Sequence, residues 1–394
     1  MKLFKSLLVA PATIGLLAPF ATFAGEANLN DISKYSNLEH IDLVNAFVND
    51  EPNHNPLLAG GEGLVDDSSY DGGFSETTVA SFSVDAVLGA TDGSATSETT
   101  SLDYQFNIGL STSFTGEDSL DIAIDSGSPS ASATGGAFGF DTGVDLKVDG
   151  VTYTFPVGGA TMVVGDSTDV SATFTGACAY SSFTDYTPDD CGTGNSLGVG
   201  GPSSRVAASL GYTFDSGFSL AGGVASSPSE ILGDAQDVFG IEAAYNTDGY
   251  GVAVAYVSDD GGTGTDTAYW GVNGYYTFDL ASLSVGYETS DDGSADATGY
   301  FVGLSFPEVG PGSVNVAAAT TGLFTDAQTE TMIYEASYSY PLNDGMTITP
   351  GVFIQEKDGS DDETGLAVKA SFSCLLYTSP SPRDLSTSRM PSSA

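Results

Sequence analysis

Between residues 102 and 114 the chain alternates without a break. Leu102, Tyr104, Phe106, Ile108, Leu110, Thr112 and Phe114 take the even positions, and Asp103, Gln105, Asn107, Gly109, Ser111 and Ser113 the odd ones. Wound as a helix, the segment would gather Leu102, Gln105, Phe106 and Gly109 on one face, which is no apolar stripe. The side-chain period is therefore two, that of a strand with one apolar and one polar face. The same period recurs at 206–214, 218–224, 239–245, 250–256, 268–278, 283–289, 300–306, 314–318, 332–340, 346–354 and 366–372. Charge obeys it too: Asp85, Asp103, Asp121, Asp125, Asp145, Lys147, Arg205, Glu242, Glu288, Glu335 and Lys369 all fall on the polar parity. Well inside these strands the aromatic parity carries no charge, and Glu356 falls on it only at a strand end.

Connections between these runs alternate in length. Short turns at 115–118, 246–249, 279–281 and 342–345 interleave with longer acidic loops such as 258–267, 290–297 and 357–363. Strands joined by short turns on one side and long loops on the other describe a transmembrane β-barrel with periplasmic turns and external loops. A soluble β-sandwich could alternate as cleanly, but it would not need so many aromatics near strand ends. Tyr245, Tyr250, Tyr287, Tyr300 and Tyr340 suit interfacial girdles. Lipid also explains the one-sided charge, because a Lys or Arg facing the bilayer midplane costs about 2–4 kcal/mol. The expected fold is an all-β transmembrane antiparallel barrel of about sixteen strands, since single-chain bacterial barrels use even numbers.

Composition narrows the function. The 394 residues hold 9 Lys+Arg against 52 Asp+Glu, a net charge of −43, which excludes nucleic acid as a partner because phosphate binding needs clustered bases. With 41% hydrophobic residues, 19 Tyr and 22 Phe, the chain is too apolar for a solvated coil. Residues 1–24 read as a signal peptide: Lys2 and Lys5, an apolar stretch, then the small-residue site around Ala24. Residues 25–75 form a polar lead-in with a short helix expected at 38–48, and residues 76–373 form the barrel. The tail 374–394 breaks from the rest, with Arg383, Arg389 and three prolines, and resembles a translated sequencing adapter. Without the two ends, five basic residues face 51 acidic ones.

The starting segment MKLFKSLLVAPATIGLLAP, the following EANLNDISKYS, VDGVTYTFPVG at 149–159 and the final GLAVKASFS together resemble the cyanobacterial outer-membrane porins related to carbohydrate-selective (OprB-type) and iron-uptake porins. The resemblance spans residues 1–373. It implies an outer-membrane channel for passive diffusion of small hydrophilic solutes and ions, sugars or iron species among them, and a homotrimer. Members of that group usually carry an S-layer-homology domain and a coiled coil before the barrel, and no full copy of either is found here. Their barrels end on an aromatic residue, where this chain has Cys374.

Candidate chemistry is sparse. Both histidines, His40 and His54, precede the strands, so no serine–histidine or aspartate–histidine arrangement can be assembled in the barrel, and no enzyme or cofactor is expected. The run GGTGTDTAY at 261–269 matches one calcium β-roll repeat, but such repeats need stacked neighbours, so no metal site is expected. Cys178 and Cys191 could brace a long loop as a disulfide or remain two free thiols. By parity Asp103, Asp121, Glu242, Glu288 and Glu335 face the lumen, against Lys147, Arg205, Lys369 and the strand-end Lys357. Carboxylates around a water-filled passage concentrate cations, so a weakly cation-preferring, non-gated pore is expected. The alternative is a structural or adhesive β protein without a conducting lumen.

Overall fold

A computed structural model describes residues 78–376, apart from 94–98, 129–132, 141–142, 189–190, 193–204 and the single positions 229, 234 and 263. The expected signal peptide, the helix at 38–48 and most of the tail lie outside the described residues. The strands are β1 (Thr78–Asp92), β2 (Thr99–Thr112), β3 (Ser119–Gly127), β4 (Lys147–Val157), β5 (Ala160–Asp166), β6 (Val206–Thr213), β7 (Phe218–Ser226), β8 (Asp237–Asn246) and β9 (Tyr250–Asp259). They continue as β10 (Thr267–Thr277), β11 (Ser282–Asp291), β12 (Asp296–Val309), β13 (Gly312–Thr320), β14 (Phe324–Thr325), β15 (Met332–Asn343), β16 (Met346–Gln355) and β17 (Glu363–Leu376). One short helix, α1 (Ala133–Ala137), stands in the β3–β4 connection.

Neighbouring strands pair antiparallel in sequence order, and β1 pairs with β17, so the sheet closes on itself. Of the 17 strands, β14 is only 2 residues long and lies on β12 beyond the end of β13. The wall therefore has the sixteen strands that the alternation led us to expect. Closure removes the sheet edges that would otherwise leave backbone groups unpaired in lipid. β17 runs past residue 373, with Cys374 opposite Phe82 and Leu376 opposite Ala80, because β1 offers open pairing positions there.

Burial is inverted relative to a water-soluble domain. Leu102 is 68% exposed and Ile241 62%, while Asp103 is 3% exposed and Glu288 1%. The apolar parity faces outward to lipid, and the charged parity faces the interior. At the short-turn end a Tyr-Thr-Phe sequence closes three strands: Tyr153/Phe155, Tyr212/Phe214 and Tyr276/Phe278 have ring centroids 5.2, 4.6 and 4.8 Å apart. Amphipathic rings at this level anchor the barrel at the membrane–water boundary.

The turns at this end are tight and locally satisfied. Gly217 has φ 86°, and a Cβ there would lie 2.3 Å from the carbonyl oxygen of Asn246, so glycine alone fits. Asp118 accepts bonds from Ser113 Oγ (2.6 Å), Phe114 N (2.9 Å), Thr115 N (2.7 Å) and Tyr153 OH (2.6 Å). Burial pushes its carboxyl up, but the bonds from Ser113, Tyr153 and Thr115 outweigh that and hold it well below the usual carboxylate range.

Candidate functional site

The β5–β6 connection does not stay outside. Residues 170–187 run along the inside of the wall, and Val170, Ala177, Tyr180 and Phe183 are buried there. An apolar loop folded into a polar lumen needs apolar seats, and the wall supplies them on its lumen parity. A Cβ on Gly223 would lie 2.4 Å from the carbonyl oxygen of Val170, one on Gly303 2.6 Å from the Tyr180 ring, and one on Gly351 2.6 Å from the Phe183 ring. Gly286 is tightest: its Cβ would lie 1.5 Å from the carbonyl oxygen of Cys191. Phe301 and Phe353, aromatic residues on the otherwise polar parity, complete the seat, with Tyr180 centred 5.2 Å from Phe301 and Tyr186 5.9 Å from Phe353.

Folding inward also buries backbone N–H groups, each of which needs an acceptor. Glu242 accepts from Thr175 N (2.6 Å) and Gly176 N (3.0 Å), Asn273 Oδ1 from Ala177 N (3.0 Å) and Ser284 Oγ from Ala179 N (3.0 Å). Glu335 takes four bonds: Tyr180 OH at 2.7 Å, Phe183 N at 2.8 Å, Thr184 N at 3.0 Å and Thr184 Oγ1 at 2.8 Å. Charge-assisted bonds of this kind are among the stronger ones. The Cys178 and Cys191 sulfurs are bonded, with Cα atoms 5.6 Å apart. Helix α1 closes against the loop, where Asp185 N donates to Ala137 O (2.9 Å) and Phe138 meets Phe183 edge-on at 5.0 Å.

These contacts decide what the candidate residues do. Glu242 and Glu335 face inward as parity requires, but their oxygens point at the loop backbone and not at lumen water. They are anchors, because a buried amide is a nearer claimant than solvent. Glu288 is buried on β11, and Asp103 is buried where a Cβ on Gly135 of α1 would lie 2.9 Å from its carboxyl carbon. Asp121 is half-buried on β3 and accepts from Ser119 Oγ at 2.6 Å. Lys147 is exposed at the start of β4, opposite Asp125 in register. Lys369 sits 5.9 Å from the Phe138 ring centroid. Lys357 lies 3.5 Å from Glu363, bonds Gln355 and stands 5.3 Å over the Tyr186 ring. Arg205 is buried just before β6, with no acceptor for its guanidinium among the described residues.

The loop's wall contacts fall on β6 to β16, so β2 to β5 form the opposite side of the passage. Beside the loop's first arm a cavity of about 450 Å³ is lined from β4 to β7 and by the loop: Thr154, Thr161, Thr173, Thr175, Thr213 and Ser219 supply hydroxyls, Val163, Ala172 and Leu220 apolar surface, and no side chain there is charged. Among the described residues no cluster of three or more His, Cys, Asp or Glu could hold a metal. In the GGTGTDTAY stretch the amides of Gly261 and Gly262 bond Asp259 and Asp260, an ordinary turn. Sequence reasoning missed Asn273, Ser284 and the glycine seats. Their signal was present: glycines on the lumen parity, and two phenylalanines where only polar residues were expected.

Residues 70–362 match the family model described as Gram-negative porin, a span that takes in β1 to β16. Among solved structures, Pseudomonas putida OprB is 13% identical with a TM-score of 0.60, covering 76% of this chain and 94% of its own. Two engineered forms of Rhodopseudomonas blastica porin are 16% and 18% identical with TM-scores of 0.51, covering 74% and 75% of this chain and 100% of theirs. No curated protein sequence matches the chain. A closed sixteen-strand wall, an apolar exterior, a polar interior and a family match across almost the whole barrel agree: the chain belongs to the Gram-negative porins, passive channels of the outer membrane.

Proposed function

We propose that this channel passes small hydrophilic solutes without gating and with a weak preference for cations. The observation that carries the reading is the charge on the wall away from the inner loop. Asp85, Asp121 and Asp125 stand on β1 to β3, against Lys147 on β4 and Lys369 on β17, whereas Asp103 is buried beneath α1. Glu242 and Glu335 contribute less than parity implies, since the loop's donors neutralise part of their field. An acidic excess along a water-filled passage raises local cation concentration, and screening shortens its reach to about 10 Å at 0.1 M salt. The preference is weak for that reason.

The threonines of the uncharged cavity support passage of neutral polyols such as sugars, which hydrogen bond to hydroxyls without competing with fixed charge. The resemblance to cyanobacterial porins supports a cyanobacterial source and a homotrimer, and the first 24 residues support export through a signal peptide. Reversal potentials in planar bilayers under a KCl gradient test the ion preference: a potential of cation-selective sign is expected, and one of chloride-selective sign would sink the reading.

A further inference from the structure

A second recess lies in the wall near the short-turn end. Strands β1, β16 and β17 and the turn at 344–345 surround a cavity of about 340 Å³ lined by Ser83, Asp85, Asp344, Thr347, Lys369 and Ser371. Unlike the cavity beside the loop's first arm, it brings both signs of charge together. Asp85 stands opposite Ser371 across β1 and β17, and Lys369 is the next inward-facing residue of β17, opposite Val87. The Ser371 hydroxyl donates to Asp85 Oδ1, and Asp85 Oδ2 takes no bond among the described residues. Lys369 makes no ion pair among them either, although acids outnumber bases 52 to 9 in this chain. Its ammonium lies 5.9 Å from the Phe138 ring centroid. Helix α1 packs over Gly89, where a Cβ would lie 2.6 Å from Thr134 Cγ2, so this connection covers the recess on the long-loop side.

We propose that this recess is a subsite for small zwitterionic solutes of the α-amino acid class, with Lys369 taking the carboxylate and Asp85 the ammonium. Diagonal neighbours on one face of an antiparallel pair stand about 7–8 Å apart. An α-amino acid carries its two charged groups on one carbon, and a charge-assisted hydrogen bond of about 2.7–2.9 Å at each end lets it bridge such a gap. Asp344 adds a second carboxylate on the ammonium side, and Ser83 and Thr347 offer hydroxyls to the remaining polar groups. A lone cation in the recess meets the Lys369 ammonium, and a lone anion meets two carboxylates. A zwitterion presents each of its charges to the opposite one. It carries no net charge, so the weak cation preference of the passage neither draws it in nor repels it.

The subsite rests on the channel reading, because only a solute inside the passage reaches it. Proteoliposomes holding folded protein, checked by a heat-modifiable gel shift, are given radiolabelled alanine at micromolar concentration, with its uncharged isomer lactamide as the reference. Alanine influx is expected to saturate, slowing under excess unlabelled alanine, while lactamide influx stays proportional to concentration. Losing one charge-assisted hydrogen bond weakens binding about tenfold. In Lys369→Met and in Asp85→Asn the unlabelled alanine needed to halve influx should therefore rise about tenfold, and in Lys369→Arg it should stay close to the parent value. A change in the general field of the passage does not produce this pattern, since alanine has no net charge. Lactamide influx through each variant verifies that its barrel is open. Alanine influx through the parent that never saturates overturns the subsite, as does saturation left undiminished in both Lys369→Met and Asp85→Asn. Folded protein that admits neither solute overturns the channel reading instead.

Discussion

Replacing Glu335 by glutamine keeps the side-chain shape and removes half of what the carboxylate does. Four donors converge on its two oxygens: Tyr180 OH, Phe183 N, Thr184 N and Thr184 Oγ1. Glutamine offers one acceptor oxygen and turns an NH₂ toward the other two donors. The Thr184 hydroxyl can turn to accept from that NH₂, but the Thr184 amide cannot, and one buried donor left without an acceptor costs about 1–3 kcal/mol. At about 1.4 kcal/mol per decade, the unseated population of the lobe rises about 5- to 140-fold. Hydrogen exchange at the Phe183 and Thr184 amides reads that ratio directly, and single-channel noise reads its consequence. The barrel itself should persist, because Glu335 pairs with Ala317 and Phe353 through its backbone. Unchanged amide protection with unchanged noise would refute the claim that this carboxylate seats the loop.

Gly286→Val should expel the return end of the loop, since even a Cβ would stand 1.5 Å from the Cys191 carbonyl oxygen; added protease sensitivity near residue 191 checks it. Ile241→Arg, on the lipid face of β8, should cost about 2–4 kcal/mol, read as a lower urea midpoint for the folded gel band. Thr154→Lys, on the lumen face of β4, should leave that midpoint nearly unchanged and shift the reversal potential toward chloride. For Asp118 the folded carboxyl lies below its unfolded value of about 3.9. Its stabilising contribution is whole above that pH and drains away as the pH falls toward the depressed folded value. Asp118 should therefore still be ionised at a pH where exposed aspartates have protonated, as NMR titration would show, and Asp118→Asn should lower the midpoint near neutrality.

Much of the wall was legible because lipid imposes a rule on every strand. Leu102 and Asp103 are neighbours in sequence and opposites in burial, and the period of two says so without any tertiary knowledge. Strand number followed from the alternation, and the two-residue β14 did not, because so short a segment carries no period. The inner loop was not legible in the same way. Its position depends on contacts between residues far apart, such as Thr175 with Glu242 or Cys191 with Gly286, which no local pattern encodes. Parity put Glu242 and Glu335 on the inward face of the wall, yet it could not say whether water or a buried amide would meet them. Phe301 and Phe353 were the available clue, since an aromatic residue on a water-lined face calls for something apolar to cover it.

Conductance as a function of salt tests the central claim most directly. Purified, folded protein in a planar bilayer should add discrete, steady current steps that are linear in voltage and grow in proportion to KCl concentration, as a water-filled passage beside the inner loop requires. Folded protein that inserts and adds no steps, or steps that saturate at low salt, would contradict a passive diffusion channel.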